Sequence, residues 1–242
     1  LRPVYCGAMS ARRLVPLSAI EAAARRLKGV VRQTPLVELP LDARSPVWAK
    51  CENLQAAGAF KIRGGWWRLS NLDDTEQARG VIAVSSGNHA QGVAWAARRL
   101  GIAAAIVMPR NAPQVKLEAT RALGAEIVLY DRPGQNRDDV AAKLVEERGA
   151  VLVHAFGDPW VIEGQGSAGI EIEAQLGRAP SRLLVCCGGG GLAAGLALAC
   201  PESAIHIVEP HGWDMVGRAI AAGQVVHVGA NPPSTICDAL QP

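Results

Sequence analysis

The stretch VIAVSSGNHAQGVAWAARRLG, residues 81–101, contains a short apolar run, a polar glycine-containing loop and a longer segment that ends in glycine. The run is continuously apolar and too short for a helix, which is typical of a strand buried on both faces of a sheet. The longer segment has the length of a helix, and a left-handed glycine at Gly101 would close its last turn. The stretch therefore predicts a strand, a ligand-sized loop and a helix.

The same order of patterns recurs towards the C-terminus, with helix patterns that end at Gly124 and Gly149. The further strand patterns are AAAIVMP at 103–109, AEIVLY at 125–130, AVLVHAF at 150–156, RLLVCC at 182–187 and AIHIVEP at 204–210. Strands that alternate with helices predict an α/β fold with parallel sheets covered by helices on both faces. Ligand sites in such sheets lie beyond the carboxyl ends of the strands.

The polar, Pro-containing stretch FGDPW at 156–160 separates two sets of these units. We expect a smaller domain at 51–156, inserted in a larger, discontinuous and incomplete domain at 1–50 and 157–242. The N-terminal segment, with a helix near 18–29 followed by TPLVEL, is expected to form no sheet of its own and to pack on the later set.

Composition excludes several classes of function. The 25 Lys and Arg and 22 Asp and Glu are spread along the chain and give a net charge of +3, so no basic surface for nucleic acid or membrane is expected. The six cysteines form no CxxC pair and are interpreted as reduced. With no signal peptide and no apolar run that could span a bilayer, the expected location is cytoplasmic.

GGGGLAAG at 188–195 follows a strand pattern directly and opens a helix pattern. Successive amides at a helix N-terminus bind phosphate through N–H donors and the helix dipole. The motif is not GxGxxG, and only Glu209 comes near the spacing of a ribose-binding acid, so a nicotinamide site is disfavoured. The remaining alternative is a tight turn that packs helix on strand.

Two further motifs carry polar chemistry. SSGNHAQG at 85–92 offers hydroxyl, amide and imidazole groups that suit a carboxylate, although a single such residue is more often an ordinary N-cap. Lys61 lies at or near the start of the helix pattern KIRGGWWRLSNL. The helix dipole and partial desolvation would lower the pKa of its amine and make it nucleophilic, whereas Lys61 taken alone is more often a surface lysine.

Together, GAFKIRGG, SSGNHAQG and GGGGL resemble, in order and spacing, the pyridoxal-phosphate enzymes of the tryptophan-synthase-β type, and most closely the threonine/serine dehydratases and serine racemases. The Lys50-x-Glu52-x-x-Gln55 stretch, VIEGQGSAGIEI at 161–172 and VEP at 208–210 support the resemblance, which runs from about Leu17 to the C-terminus. Its implied cofactor is pyridoxal 5'-phosphate.

The resemblance implies roles for the residues of all three motifs. Lys61 would bind the cofactor covalently and act as catalytic base, and Ser86 is the position that serves racemases as the acid/base on the opposite face. The expected cofactor contacts are Phe60, Lys61, Asn88, Gly188, Gly189, Gly190, Gly191 and Leu192. The expected substrate contacts are Ser85, Ser86, Gly87 and His89.

The implied reaction is β-elimination of L-threonine or L-serine to a 2-oxo acid and ammonia by a homo-oligomer, expected to be a dimer. The alternatives are a serine racemase, a 3-hydroxyaspartate dehydratase, and a truncated, non-catalytic cofactor-binding protein. Three departures from the family pattern stand out. Ala59 replaces the usual serine, Glu209 is a weak metal candidate without the usual partner aspartate, and the chain stops before the residue that would face the pyridine nitrogen.

Overall fold

The computed structural model describes residues 13–131, 134–229 and 232–241. In chain order its elements are α1 (Leu17–Leu27), β1 (Leu36–Leu39), β2 (Val47–Lys50), α2 (Lys61–Leu69), α3 (Asp74–Arg79), β3 (Val81–Val84), α4 (Asn88–Leu100), β4 (Ala104–Pro109), α5 (Gln114–Ala122), β5 (Glu126–Tyr130), α6 (Arg137–Arg148), β6 (Val151–Leu152), α7 (Pro159–Leu176), β7 (Arg182–Cys186), α8 (Gly191–Ala199), β8 (Ala204–Val208) and α9 (Met215–Ala222), with 3₁₀ turns at Glu52–Leu54, Ala56–Gly58 and Asp238–Leu240.

The predicted α/β architecture is confirmed. Four parallel strands form a sheet in the order β5-β4-β3-β6, and β7 and β8 form a second parallel sheet of two strands. Strands β3 and β4 are almost wholly buried, as their continuous apolar runs predict. The predicted glycine helix ends are also confirmed, since Gly101, Gly124 and Gly149 all have positive φ angles.

The N-terminal segment departs from the prediction. β1 and β2 pair antiparallel, with Leu36 opposite Lys50 and Leu39 opposite Val47, so the segment does have a small sheet of its own. Each strand is only four residues long, too short for a clear periodic signal in sequence. The predicted packing on the later set is confirmed, because α1 contacts α7 and α8. The division into two domains stays a prediction.

Helix α2 lies between α4 and α7 and crosses both at glycines. A Cβ atom on Gly65 would lie 2.8 Å from the carbonyl oxygen of Gly92 in α4. On another side of α2, a Cβ on Gly164 of α7 would lie 2.6 Å from the Cα of Gly64. Both distances are below the shortest normal contact of a Cβ, so the helices approach to backbone contact on two sides of α2.

Helices α7 and α8 meet in the same way. A Cβ on Gly195 of α8 would lie 2.7 Å from the backbone nitrogen of Gly166 in α7. The four helices α4, α2, α7 and α8 are therefore joined in series by three glycine crossings. Among the helices in the described ranges, none is both long enough and apolar enough to cross a membrane.

Candidate functional site

Lys61 is the first residue of α2, as the sequence predicts. Its side chain is partly buried, and its amine donates a hydrogen bond to the carbonyl oxygen of Ala155 over 2.8 Å. The ring centroid of Phe60, the N-cap residue, lies 5.4 Å from the same nitrogen. Burial lowers the pKa of the Lys61 amine from 10.5 to about 8. A surface lysine would have neither this contact nor this pKa, so the alternative of an ordinary surface lysine is wrong.

The segment after β6, residues 153–157, connects the parts of the site. The carbonyl of Val153 accepts a hydrogen bond from Nε2 of His89 at 2.9 Å, and the carbonyl of Ala155, two residues on, accepts from Lys61. Nδ1 of His154 accepts from the backbone N–H of Gly157 at 2.9 Å and closes a tight turn. Because side chains occupy these carbonyls, β6 is shorter than the apolar pattern predicts.

Phe156, in the same segment, packs on the glycine loop between β7 and α8. A Cβ on Gly189 would lie 2.2 Å from the Phe156 ring, and one on Gly191 would lie 2.8 Å from its Cα. The backbone of residues 155–156 therefore contacts the Lys61 amine through one residue and the glycine loop through the next. The segment at 155–156 thus contacts both motifs, although Lys61 and Gly188 are 127 residues apart in the sequence.

The glycine loop ends at a helix N-terminus that no side chain caps. Gly190 is the N-cap of α8, with a φ of +85° that favours glycine. In the described part of the chain, the first amide of α8 that bonds to a carbonyl is that of Ala194, which donates to Gly190 over 2.9 Å. The backbone N–H groups of α8 that precede Ala194 can therefore donate hydrogen bonds to a ligand. By contrast, the side chains of Asp73, Asn136 and Asp158 cap α3, α6 and α7.

The loop at 85–89 leads into a second such helix N-terminus. Gly87 is the N-cap of α4, and no side chain accepts from the first amides of that helix. The Ser85 hydroxyl instead accepts from the backbone N–H of Gly87 at 3.1 Å, outside the helix. The alternative of an ordinary N-cap by Ser86 or Asn88 is therefore wrong. Ser86 is half-buried and Asn88 is exposed, so both remain accessible to a ligand at the strand end.

His89 lies deeper than a substrate contact predicts. Its side chain is only 3% exposed, and its Nδ1 has no hydrogen-bond partner among the described residues. Burial, followed by the nearby charge of Lys61, lowers the pKa of His89 to about 3, so the imidazole is neutral. The role of His89 at the substrate carboxylate stays a prediction, and Nδ1 is a buried acceptor that a bound group or water would satisfy.

Glu209, the weak metal candidate, has a different role in this structure. Its two carboxylate oxygens accept from the backbone N–H groups of Val216 and Gly217, each at 2.9 Å, and so cap α9. Asp214 and Met215 stand at the start of that helix. Within the described ranges, no three His, Cys, Asp or Glu side chains are grouped to hold a metal ion.

The chain is similar to several known proteins. The model of a family described as pyridoxal-phosphate dependent enzyme matches residues 27–242. L-threo-3-hydroxyaspartate ammonia-lyase from Pseudomonas sp is 42% identical over 226 residues, which are 90% of this chain and 70% of that protein.

Two solved structures are also similar. Maize serine racemase superimposes with a TM-score of 0.89 at 37% identity, covering 95% of this chain and 71% of the other. The T.th. threonine deaminase superimposes with a TM-score of 0.83 at 41% identity, covering 93% and 74%. The chain thus spans about 70% of the length of these relatives.

Proposed function

Because the chain belongs to the family of pyridoxal-phosphate dependent enzymes, we propose that it catalyses β-elimination of L-threonine or L-serine to a 2-oxo acid and ammonia. The observation that carries the proposal is the enclosed Lys61 amine of low pKa, held by the same segment that contacts the glycine loop. The similarity to ammonia-lyases and a serine racemase supports a dehydratase or racemase chemistry.

The residues present fit pyridoxal phosphate. Lys61 offers an amine for the aldehyde, and the uncapped N-terminus of α8, with Gly188 to Leu192, offers amides for the phosphate. Phe60 and Asn88 are placed near the amine and at the start of α4, where the resemblance expects ring contacts. When bound, the cofactor supplies an aldehyde that condenses with amines and a conjugated ring that takes up the charge left when the substrate Cα loses its proton.

Lys61 would act as the general base at Cα. With a pKa of about 8, a useful share of its amine is unprotonated near neutral pH, and the lone pair is available to take a proton. The Ala155 carbonyl accepts a hydrogen bond from the Lys61 amine while that amine is not bonded to another group. Because His89 is neutral, it adds no second positive charge that would drive the Lys61 pKa lower still.

The loop at 85–89 would bind the substrate carboxylate. The uncapped amides of α4 and the positive end of its dipole favour an anion there, and the Ser85 and Ser86 hydroxyls lie on the same loop. Ser86 is the residue we assign to proton transfer on the face opposite Lys61. Protonation there would return the opposite enantiomer, which is how a racemase would use this site.

The first test is the near-visible absorption spectrum of the protein with added pyridoxal phosphate, before and after borohydride reduction, beside Lys61→Ala. We expect a band that reduction fixes covalently to the wild-type chain and that the variant lacks. A band without turnover would favour the non-catalytic cofactor-binding protein. Soluble wild-type protein that shows no band would contradict the proposal.

The second test separates the substrates. Serine, threonine and 3-hydroxyaspartate are each incubated with the loaded protein, and 2-oxo acid, ammonia and the opposite enantiomer are measured. The proposal expects 2-oxo acid from threonine or serine as the main product. Predominant enantiomer exchange would favour the racemase, and turnover of 3-hydroxyaspartate alone would favour that dehydratase. Cytoplasmic location and a homodimer also remain predictions.

A further inference from the structure

We propose that Arg63, together with Lys50, Glu52 and Glu171, forms a buried anchor that positions the first turn of α2 and thereby the amine of Lys61. These four residues are called the Arg63 anchor below. The inference deepens the proposed function, on which it rests, by naming a positioning residue of the same site. Arg63 lies within the GAFKIRGG motif, but sequence patterns assign it no role, because its partner Glu171 lies 108 residues away in the chain.

The guanidinium of Arg63 is fully buried and uses all five of its N–H donors. Nε and Nη2 donate to the two oxygens of Glu52, each at 2.8 Å, and Nη1 and Nη2 donate to the two oxygens of Glu171, each at 2.8 Å. The fifth donor reaches the hydroxyl of Ser167 at 3.2 Å. This double bidentate geometry needs the planar fork of arginine, which lysine cannot reproduce.

The anchor extends to the N-terminal strands through Lys50. Its amine donates to Glu171 at 2.6 Å, to the carbonyl of Thr34 at 2.8 Å and to Gln175 at 2.8 Å. The hydroxyl of Thr34 donates to Glu52 at 2.6 Å. The network thus joins β2, the first 3₁₀ turn, α2 and α7, and its two formal positive charges face two negative ones.

The charges of the anchor are strongly coupled. Burial would raise the pKa of the Glu52 carboxyl, but the hydrogen bonds and charge of Arg63 outweigh it and hold that pKa below its ordinary value. Burial likewise opposes the charge on Arg63, and its bonds to Glu52 and Glu171 nevertheless raise its pKa. Removal of one member would leave a buried charge unpaired, so the four residues act as a unit.

The anchor holds the turn that carries Lys61. The backbone N–H of Arg63 donates to the carbonyl of Phe60 at 3.0 Å and closes the first turn around Lys61. Residues two apart on a helix point about 200° from each other, so the anchor lies on the side of α2 away from the Lys61 side chain. The Arg63 anchor thus holds the start of α2 and keeps the Lys61 amine at the Ala155 carbonyl. It does so without occupying the space where a ligand would bind.

A purely structural role would stabilise the contact between α2 and α7 and do nothing else. Trp67 provides the matched control, because it lies one turn further along α2 and its indole N–H donates to Glu163 of α7 at 2.8 Å. Trp67→Phe therefore weakens the same helix contact away from the first turn. Arg63→Lys and Glu171→Gln weaken the anchor itself.

The test measures the pH dependence of Lys61 acetylation in the protein without cofactor, by peptide mass spectrometry, at a temperature where circular dichroism shows each variant folded. We expect Arg63→Lys and Glu171→Gln to raise the Lys61 pKa that this profile gives from about 8 towards 10.5. Trp67→Phe should leave that pKa unchanged. In the loaded enzyme kcat should fall about 10- to 100-fold with little change in KM.

An unchanged Lys61 profile in a folded anchor variant, or an equal shift in Trp67→Phe, would overturn the proposal. If neither anchor variant folds, Ser167→Ala removes the weakest bond of the guanidinium and tests the same shift on a smaller scale. The acetylation profile needs neither cofactor nor turnover. A wild-type protein that fails to bind pyridoxal phosphate would refute the proposed function and still leave the anchor measurable.

Discussion

The depressed pKa of Lys61 makes a prediction about stability in the protein without cofactor. A lysine of pKa 10.5 when unfolded and about 8 when folded binds fewer protons in the folded state between these values. The folded state is therefore penalised at low pH, and the stability of the wild type rises as the pH increases from 8 to 10.5. Below pH 8 the penalty is complete, and above 10.5 it is absent.

Lys61→Met keeps the length of the side chain and removes the charge. The full penalty corresponds to about 3 kcal/mol, of which roughly 2 to 3 kcal/mol is relieved between pH 7 and pH 10. Methionine also loses the hydrogen bond to Ala155, which costs about 1 kcal/mol at every pH. The variant is thus expected to be more stable than the wild type at pH 7, and the order should reverse by about pH 10.

Urea denaturation of both proteins at four pH values from 7 to 10 measures this difference. Other titrating groups are common to both chains, so they cancel in the comparison. Lys143→Met, at an exposed position of α6, serves as control, and its difference in stability from the wild type should stay constant across this range. If the difference in unfolding free energy between the wild type and Lys61→Met stays constant across this range, the conclusion that the Lys61 amine is buried and has a lowered pKa is refuted.

Three further outcomes follow from contacts described above. Gly164→Ala should lower the free energy of unfolding by about 2 to 4 kcal/mol, because its Cβ would meet Gly64, whereas Gly134→Ala, with open space around it, should change it by less than about 0.5 kcal/mol in the same denaturation assay. Glu209→Ala should cost about 1 to 2 kcal/mol through loss of the α9 cap, with cofactor uptake unchanged in a spectral titration. Gly190→Ala should raise the Kd for pyridoxal phosphate about tenfold, since a φ of +85° strains alanine by roughly 1 to 2 kcal/mol. An unchanged Kd would contradict the proposal that the amides of this loop bind the phosphate.

Sequence predicts the parallel sheets well because burial on both faces leaves a continuous apolar run, as in β3 and β4. It fails for β1 and β2, whose partly exposed four-residue strands carry no such pattern. It also predicts β6 too long. The apolar run there reaches Val153, but the carbonyl of Ala155 bonds to Lys61 and the turn amides bond to His154, which no periodicity shows.

In the candidate site, motifs predict the residues with unusual local chemistry and miss the residues that support them. Lys61 and the glycine loop stand out because a lysine at a helix start and consecutive glycines are costly unless they serve a purpose. Arg63, Ala155 and Phe156 do not stand out. Their importance arises from contacts with residues 11 to 108 positions away, and such contacts exist only in the folded chain.

The three glycine crossings have a consequence for how this site can change. Helix α2, which begins at Lys61, and helix α8, which begins after the glycine loop, both contact α7 at glycines, where backbone meets backbone. The distance between these helices is thus fixed by backbone contacts, and changes of side-chain rotamer cannot alter it. Under the proposed function, pocket residues can be exchanged to admit a longer, shorter or more acidic substrate while the Lys61 amine and the glycine loop keep the distance that one cofactor requires.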